Sequence, residues 1–296
     1  MTESSYLLIN DIRLHYLHWN LGDGSPLVVL LHGLASNARI WELVAPYLVE
    51  RGFALVAPDA RGHGLTDKPD GDYSFEPFTH DLSALLTTFE ARRPVLVGHS
   101  WGAMVALDYA TRITHGPLAP AGLALVDGGG TQMDDSGSSW EEMRDRLTPP
   151  RLAGLPLEAF LSRLGAHNSR WQPDSQAIQI ILANFEVAED ETISPHLSFE
   201  HHMQIVRAMW DFKTYERYSR LACPVLMVPA RPVEPFSPQE REFLTLKERG
   251  IARGRERIKD LRVHWMEDTI HDIPLQRPAE LATVLVEFVD SLNVKG

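Results

Sequence analysis

Ser100, set in Gly98-His99-Ser100-Trp101-Gly102, is the side chain whose neighbours give it a chemical use. The five residues follow the apolar run Pro94-Val95-Leu96-Val97 and precede Ala103 to Ala110, a sequence that reads as strand, abrupt turn, helix. In that setting G-x-S-x-G is a nucleophile elbow, a sharp and strained turn that presents the serine hydroxyl at the end of a sheet. The glycines let strand and helix approach each other. Taken alone, the pentapeptide would more readily describe a serine in the N-terminal turn of a helix. A hydroxyl is also a weak nucleophile, so such a serine needs a base, a group that orients the base, and donors for a developing oxyanion.

The surrounding chain supplies elements at the right rhythm. Tyr6 to Trp19 alternates as two short strands turning at Asn10-Asp11, with Leu14, Tyr16 and Leu17 facing inwards. After a turn cluster at Gly22-Asp23-Gly24-Ser25-Pro26, Leu27 to Leu31 is an apolar run of the kind covered on both faces of a sheet. It ends in His32-Gly33, before a helix predicted from Arg39 to Arg51. A second such strand, Phe53 to Ala57, runs into Asp59-Ala60-Arg61-Gly62-His63-Gly64, and a helix over Glu76 to Glu90 leads to the strand before Ser100. Gly122 to Val126 is another buried strand, closed by Asp127-Gly128-Gly129-Gly130. Alternation at this spacing predicts an α/β fold with a mostly parallel central sheet flanked by helices.

The rhythm stops at Thr131. Up to Arg220 the chain offers helices over Trp140 to Leu147, Leu157 to Leu164, Asp174 to Phe185 and Phe199 to Phe212, and no convincing strand. This stretch reads as a helical insertion lying over the sheet, before the last two strands, Pro224 to Val228 and Arg262 to Met266. The expected division is a core of residues 1–130 and 221–296 with an insertion of 131–220. Between the last two strands, a helix from Pro238 to Lys259 carries dense charge of both signs over Lys247 to Lys259, read as a solvated face. An amphipathic helix over Pro278 to Leu292 ends the chain.

Composition narrows the partners. A net charge of −12 on 296 residues argues against nucleic acid or an anionic membrane surface, which would want a basic face. One cysteine, Cys223, excludes an intrachain disulfide, and neither a basic leader nor eighteen consecutive apolar residues occurs, so a cytoplasmic protein without membrane insertion is expected. Thirteen histidines invite a metal reading, but no H-E-x-x-H or Cys/His cluster is present and the adjacent His201 and His202 diverge on a helix, so no metal is expected. Gly128-Gly129-Gly130 lacks the Lys-Ser/Thr of a phosphate cradle.

In order along nearly the whole chain, His32-Gly33, Asp59-x-Arg61-Gly62-x-Gly64, the turn at Ser100 and a late His271 each follow a strand, and open α/β sheets bind ligands along that edge. This set resembles the α/β-hydrolases that carry a helical cap. The resemblance implies Ser100 as nucleophile, His271 as base, and the backbone amides of Leu34 and Trp101 as the oxyanion hole. It leaves the acid open. The usual loop, after the strand that follows the cap, has Val233 in the aspartate position and Glu234 next to it; a smaller group of relatives uses the strand before the cap, where Asp127 stands. Glu234 is read first, with Asp127 close behind. Dehalogenases and epoxide hydrolases of this resemblance use an aspartate at the elbow, so Ser100 favours acyl transfer to water.

The function expected is therefore a cofactor-free serine hydrolase cleaving a carboxylic ester, lactone or related acyl bond of a small molecule with an apolar portion. The alternatives are a small-molecule receptor of the same fold without turnover, and a C–C hydrolase or lyase using the same triad. Phe160, Trp171, Phe185, Met203, Met209 and Trp210 are expected to divide between packing of the insertion and lining of a pocket, beside Trp101 and Leu34. Oligomeric state is not legible from the sequence.

Overall fold

In the computed structural model, which describes every residue except 23–24, 168–170, 293 and 295–296, the chain opens with a hairpin. Strands β1 (Glu3–Ile9) and β2 (Ile12–Trp19) turn through Asn10 and Asp11, both at positive φ. Then follow β3 (Leu27–Leu31), α1 (Ala45–Glu50), β4 (Ala54–Pro58), α2 (Phe75–Thr88), β5 (Val95–His99), α3 (Trp101–Arg112) and β6 (Gly122–Val126). The turn expected at residues 22–26 falls partly outside the described residues.

After β6 come α4 (Trp140–Leu147), β7 (Leu155–Pro156), α5 (Leu157–His167), α6 (Ser175–Leu182), β8 (Phe185–Val187), β9 (Thr192–Pro195), α7 (Phe199–Asp211) and α8 (Thr214–Tyr218). The chain then returns through β10 (Val225–Val228), β11 (Ala230–Arg231), α9 (Pro238–Arg257), β12 (Leu261–Val263), β13 (Met266–Glu267), α10 (Ile273–Gln276) and α11 (Pro278–Ser291).

Eight strands form the main sheet in the order β1-β2-β4-β3-β5-β6-β10-β12. Only β1–β2 and β2–β4 pair antiparallel; the other five pairings are parallel. One face is covered by α2 and α3, where Phe78, Leu82, Trp101 and Tyr109 are buried, and the other by α1 and α11, where Leu48, Leu285 and Phe288 are buried. Burial on both faces explains the unbroken apolar strands: β4, β5, β6 and β10 are buried at every residue.

Three local expectations need correction. The helix predicted over Arg39 to Arg51 is two pieces, a single 3₁₀ turn at Ala38–Trp41 and α1. Pro46 has no N–H, and its ring clashes with the carbonyl four residues back, so one helix cannot run through. Residues 131–220 do contain strands: β7, β9 and β8 make a small antiparallel sheet. At two to four residues each, two of them containing Pro156 or Pro195, they carry too little alternation to be read. The strand predicted over Arg262 to Met266 is divided, with β12 in the main sheet and β13 on β11, and His264 exposed between them.

The segment between β6 and β10 is fastened back onto the sheet edge at its end. Thr214 donates to the Thr131 carbonyl at 2.8 Å, Tyr218 donates to the Gly129 carbonyl at 3.3 Å, and Arg217 pairs with the fully buried Asp108 of α3. Among the described residues no helix is long and apolar enough to cross a membrane.

Candidate active site

The turn after β5 has the strained geometry that the sequence requires. Ser100 sits at φ 54°, ψ −120°, a backbone conformation that an L-residue adopts only when its surroundings enforce it. The enforcement is close packing: a Cβ on Gly102 would lie 2.4 Å from the His32 carbonyl oxygen, and one on Gly128 would lie 1.9 Å from that of Ser100. The ends of β3, β5 and β6 are thus pressed together around Ser100, and only glycine fits between them. Gly33 completes the crowding, since a Cβ there would fall 3.2 Å from Ser100 Cβ.

His271 arrives from the far side of the sheet. After β13, Asp268 turns at φ 54°, the Thr269 amide donates to the Arg231 carbonyl at 3.0 Å, and the Ile270 amide donates to Gln276 Oε1 at 2.7 Å. His99, the residue before Ser100, donates from Nε2 to the His271 carbonyl at 2.9 Å, tying the loop to the turn. The side chain of His271 then bridges two partners: Ser100 Oγ lies 2.8 Å from Nε2, and Asp127 Oδ2 lies 2.7 Å from Nδ1.

Of the two candidate acids, the structure brings Asp127 to the imidazole and leaves Glu234 exposed in the loop after β11. Glu234, the acid read first from the sequence, is not brought to the imidazole, for a reason of reach. Asp127 directly follows β6 and its amide still donates to the Val228 carbonyl of β10 at 3.0 Å, so its carboxylate is aimed by the sheet itself. Glu234 lies three residues past β11, after Pro232, with its side chain exposed. Asp127 is buried, with 2 % of its side chain exposed, whereas the His271 ring is 54 % exposed towards the cavity.

A third charge joins them. Lys247 Nζ of α9 lies 2.7 Å from Asp127 Oδ1 and donates to the Ala230 carbonyl at 2.8 Å. From the sequence Lys247 falls on a solvated face; the structure turns it inwards to Asp127. The signal was present in the spacing: Leu244, Lys247, Gly250, Ile251 and Gly254 recur at three and four residues, one helix face, and that face turns inwards.

The electrostatics follow from these contacts. Burial disfavours the Asp127 carboxylate, but the Lys247 charge, followed by the His271 hydrogen bond, outweighs it and holds the acid well below its usual range. Desolvation likewise works against an imidazolium at His271, while the hydrogen bond and charge of Asp127 raise its pKa above the ordinary value. His99, enclosed and close to His271, is pushed down to about 4 and stays neutral, with Nδ1 unpaired.

The loop carrying Leu34 is set by buried groups. His32 donates from Nδ1 to the Gly33 carbonyl at 2.7 Å and accepts from the Ala60 amide at 3.0 Å, and burial lowers its pKa, which fits the neutral ring those bonds require. Asp59 accepts from His15, from the Ala38 amide and from the Leu65 amide at 2.7 to 2.8 Å, so the Asp59-to-Gly64 motif is a framework for the sheet edge. Trp101 is the first residue of α3, where an amide has no acceptor within its own helix.

A cavity of about 460 Å³ opens from Ser100 and His271. Its walls are mainly apolar, with Met104, Leu125, Met209, Met227, Phe243 and Ile251 among them, and Lys247 beside Asp127. Trp101 contributes to the wall but is 2 % exposed and stacked on His63; Leu34 lies outside it. Of the aromatic residues singled out between Thr131 and Arg220, Phe160 packs on Phe185 and Trp210 on Trp140. His201 stacks on Tyr73 and His202 donates to the Leu147 carbonyl; among the described residues no three metal-ligating side chains cluster.

Comparison with known proteins agrees with this architecture. Over 104 residues the chain is 38 % identical to an AB hydrolase superfamily protein, YfhM, of Bacillus subtilis, covering 34 % of this chain and 36 % of that one. Over 84 residues it is 40 % identical to epoxide hydrolase A of Mycobacterium tuberculosis, covering 28 % and 26 %. The matched stretch spans about a third of the length of the first such curated relatives. The solved structure of an E-2-(acetamidomethylene)succinate hydrolase superposes with a TM-score of 0.74 at 21 % identity, over 98 % of this chain and 100 % of that one, and a thioesterase domain from the curacin biosynthetic pathway with 0.72 at 16 %, over 98 % and 99 %. These likenesses show the fold. The model of the alpha/beta hydrolase family matches residues 28–284, and the chain belongs to that family.

Proposed function

We propose that this hydrolase is a serine enzyme that cleaves a carboxylic ester, lactone or related acyl bond through an acyl-enzyme. The observation that supports the reading is the continuous relay from Ser100 Oγ to His271 at 2.8 Å and from His271 to Asp127 at 2.7 Å. In it Ser100 Oγ attacks the carbonyl carbon while its proton passes to His271 Nε2. Asp127 holds the Nδ1–H and stabilises the imidazolium. The tetrahedral oxyanion is received by the amides of Trp101 and Leu34; loss of one such donor typically costs about 3–4 kcal/mol of transition-state stabilisation. Collapse breaks the C–O bond as His271 returns the proton to the leaving oxygen, and a water then repeats the cycle to release the acid.

The segment of residues 131–220 acts in this reading as a cap, supplying Met133, Leu147 and Met209 to the cavity. Met, Leu, Ile and Phe walls suit an apolar acyl or alcohol portion. Lys247, the one Lys or Arg among the wall residues described, is already paired with Asp127, so among the described residues no wall Lys or Arg is free to receive an anionic substrate group.

A fluorophosphonate should label Ser100 stoichiometrically, and a chromogenic short-chain ester should give a burst of alcohol that Ser100→Ala abolishes. Absence of label on Ser100 in the folded protein would overturn the proposal.

A further inference from the structure

We propose that Lys247 is a positioning residue of the Ser100–His271–Asp127 relay, fixing the acid from behind and limiting the basicity of the imidazole. The inference rests on the reading of Ser100 as nucleophile. Its ground is the division of labour on one buried carboxylate. Among the described residues Oδ2 serves His271 alone, at 2.7 Å, while Oδ1 accepts from the Ala230 amide at 2.9 Å and faces Lys247 Nζ at 2.7 Å. Lys247 is itself anchored by the Ala230 carbonyl and is 20 % exposed. Helix α9 comes close enough for this because of Gly250, where a Cβ would lie 1.6 Å from the Gly130 carbonyl oxygen.

Such an arrangement does two things. Burying a carboxylate against one neutral imidazole and an amide is costly, and the ammonium compensates it. The same ammonium opposes a second positive charge nearby, so it works against the imidazolium that Asp127 favours. The charged or titratable groups around His271 are Asp127 after β6, His99 on β5, Asp272 on its own loop and Lys247 on α9, with Glu240 of α9 also on the cavity wall. Asp127 and Asp272 favour the cation; Lys247 is the group that opposes it by a fixed charge. The consequence is a base that remains unprotonated at a lower pH than the dyad with Asp127 alone would permit.

The test needs no knowledge of the natural substrate. The second-order rate constant for phosphonylation of Ser100 by a fluorophosphonate is measured across roughly pH 5 to 9, where its acidic limb reports the base. Lys247→Gln keeps hydrogen-bond donors and removes the charge; Lys247→Met removes both; Lys247→Arg keeps the charge. The limb should move to higher pH by about half a unit or more in the Gln and Met variants and stay within about 0.2 unit of the parent in the Arg variant. A Gln variant whose profile superposes on the parent would overturn the proposal, as would failure of both neutral variants to fold, which would make the ion pair a structural tie. Failure of the parent itself to label at Ser100 is a different result, since it removes the nucleophile reading first.

Discussion

The loops that leave β6 and β10 stand side by side at one edge of the sheet, and each carries a carboxylate, of which Asp127 contacts His271 and Glu234 is exposed. Asp127 begins the first loop with its amide bonded across to β10, its backbone at φ 43° and its side chain buried. Glu234 comes three positions after the end of β11 (234 minus 231), in a stretch exposed from Val233 to Pro235. The difference teaches that contact with His271 goes to the carboxylate separated from a strand by the fewest free torsions. A carboxylate held one residue from a strand end is aimed before the histidine arrives. One that far along a loop would have to be ordered at an entropic cost.

The largest test of this contrast is Asp127→Asn. The amide cannot hold the Nδ1–H tautomer or stabilise the imidazolium, so kcat should fall by about 10³- to 10⁴-fold with little change in KM. The sign of the pH effect follows as well. Asp127 raises the His271 pKa, so its removal should move the acidic limb of the residual activity to lower pH, opposite to the shift expected on removing Lys247. A loss of less than tenfold would break the contrast.

The same two loops mark where the sequence was readable. The strands leading to them were, because burial on both faces writes itself as uninterrupted apolar runs, and Ser100 was, because a turn that tight demands glycines at fixed offsets. His271 was legible through its place in the order of motifs. The choice between Asp127 and Glu234 was not, since it depends on the register between β6 and β10 and on the path past Pro229 and Pro232, neither of which leaves a periodic trace. Lys247 was masked by a run of mixed charge, although its spacing to Leu244, Gly250 and Ile251 marks the inward helix face. The small sheet of β7, β8 and β9 was hidden by its brevity.

A second, smaller effect probes the rigidity of the β6 loop. In Gly128→Ala the new methyl group would meet the Ser100 carbonyl oxygen at 1.9 Å, and both atoms belong to backbone that cannot swing aside. The turn must shift, with a cost of about 1–3 kcal/mol in stability as for other overpacked sites. Ser100 should also be labelled more slowly at every pH, without a change in the position of the acidic limb. Wild-type stability and labelling in this variant would mean that the loop after β6 has slack, and the argument from few free torsions would fail.

The smallest expected effect is the most exacting. Glu234→Gln removes a charge from an exposed position, where substitutions typically change stability by no more than about 0.5 kcal/mol. If the loop after β10 has no part in the relay, kcat and KM stay within about twofold of the parent, and the Asp127→Asn, Glu234→Gln double variant is no slower than Asp127→Asn alone, since independent sites add. A further drop in the double variant would carry a different meaning. It would show that Glu234 approaches His271 once Asp127 no longer occupies Nδ1, and that the two loops compete for one imidazole, with the shorter tether winning.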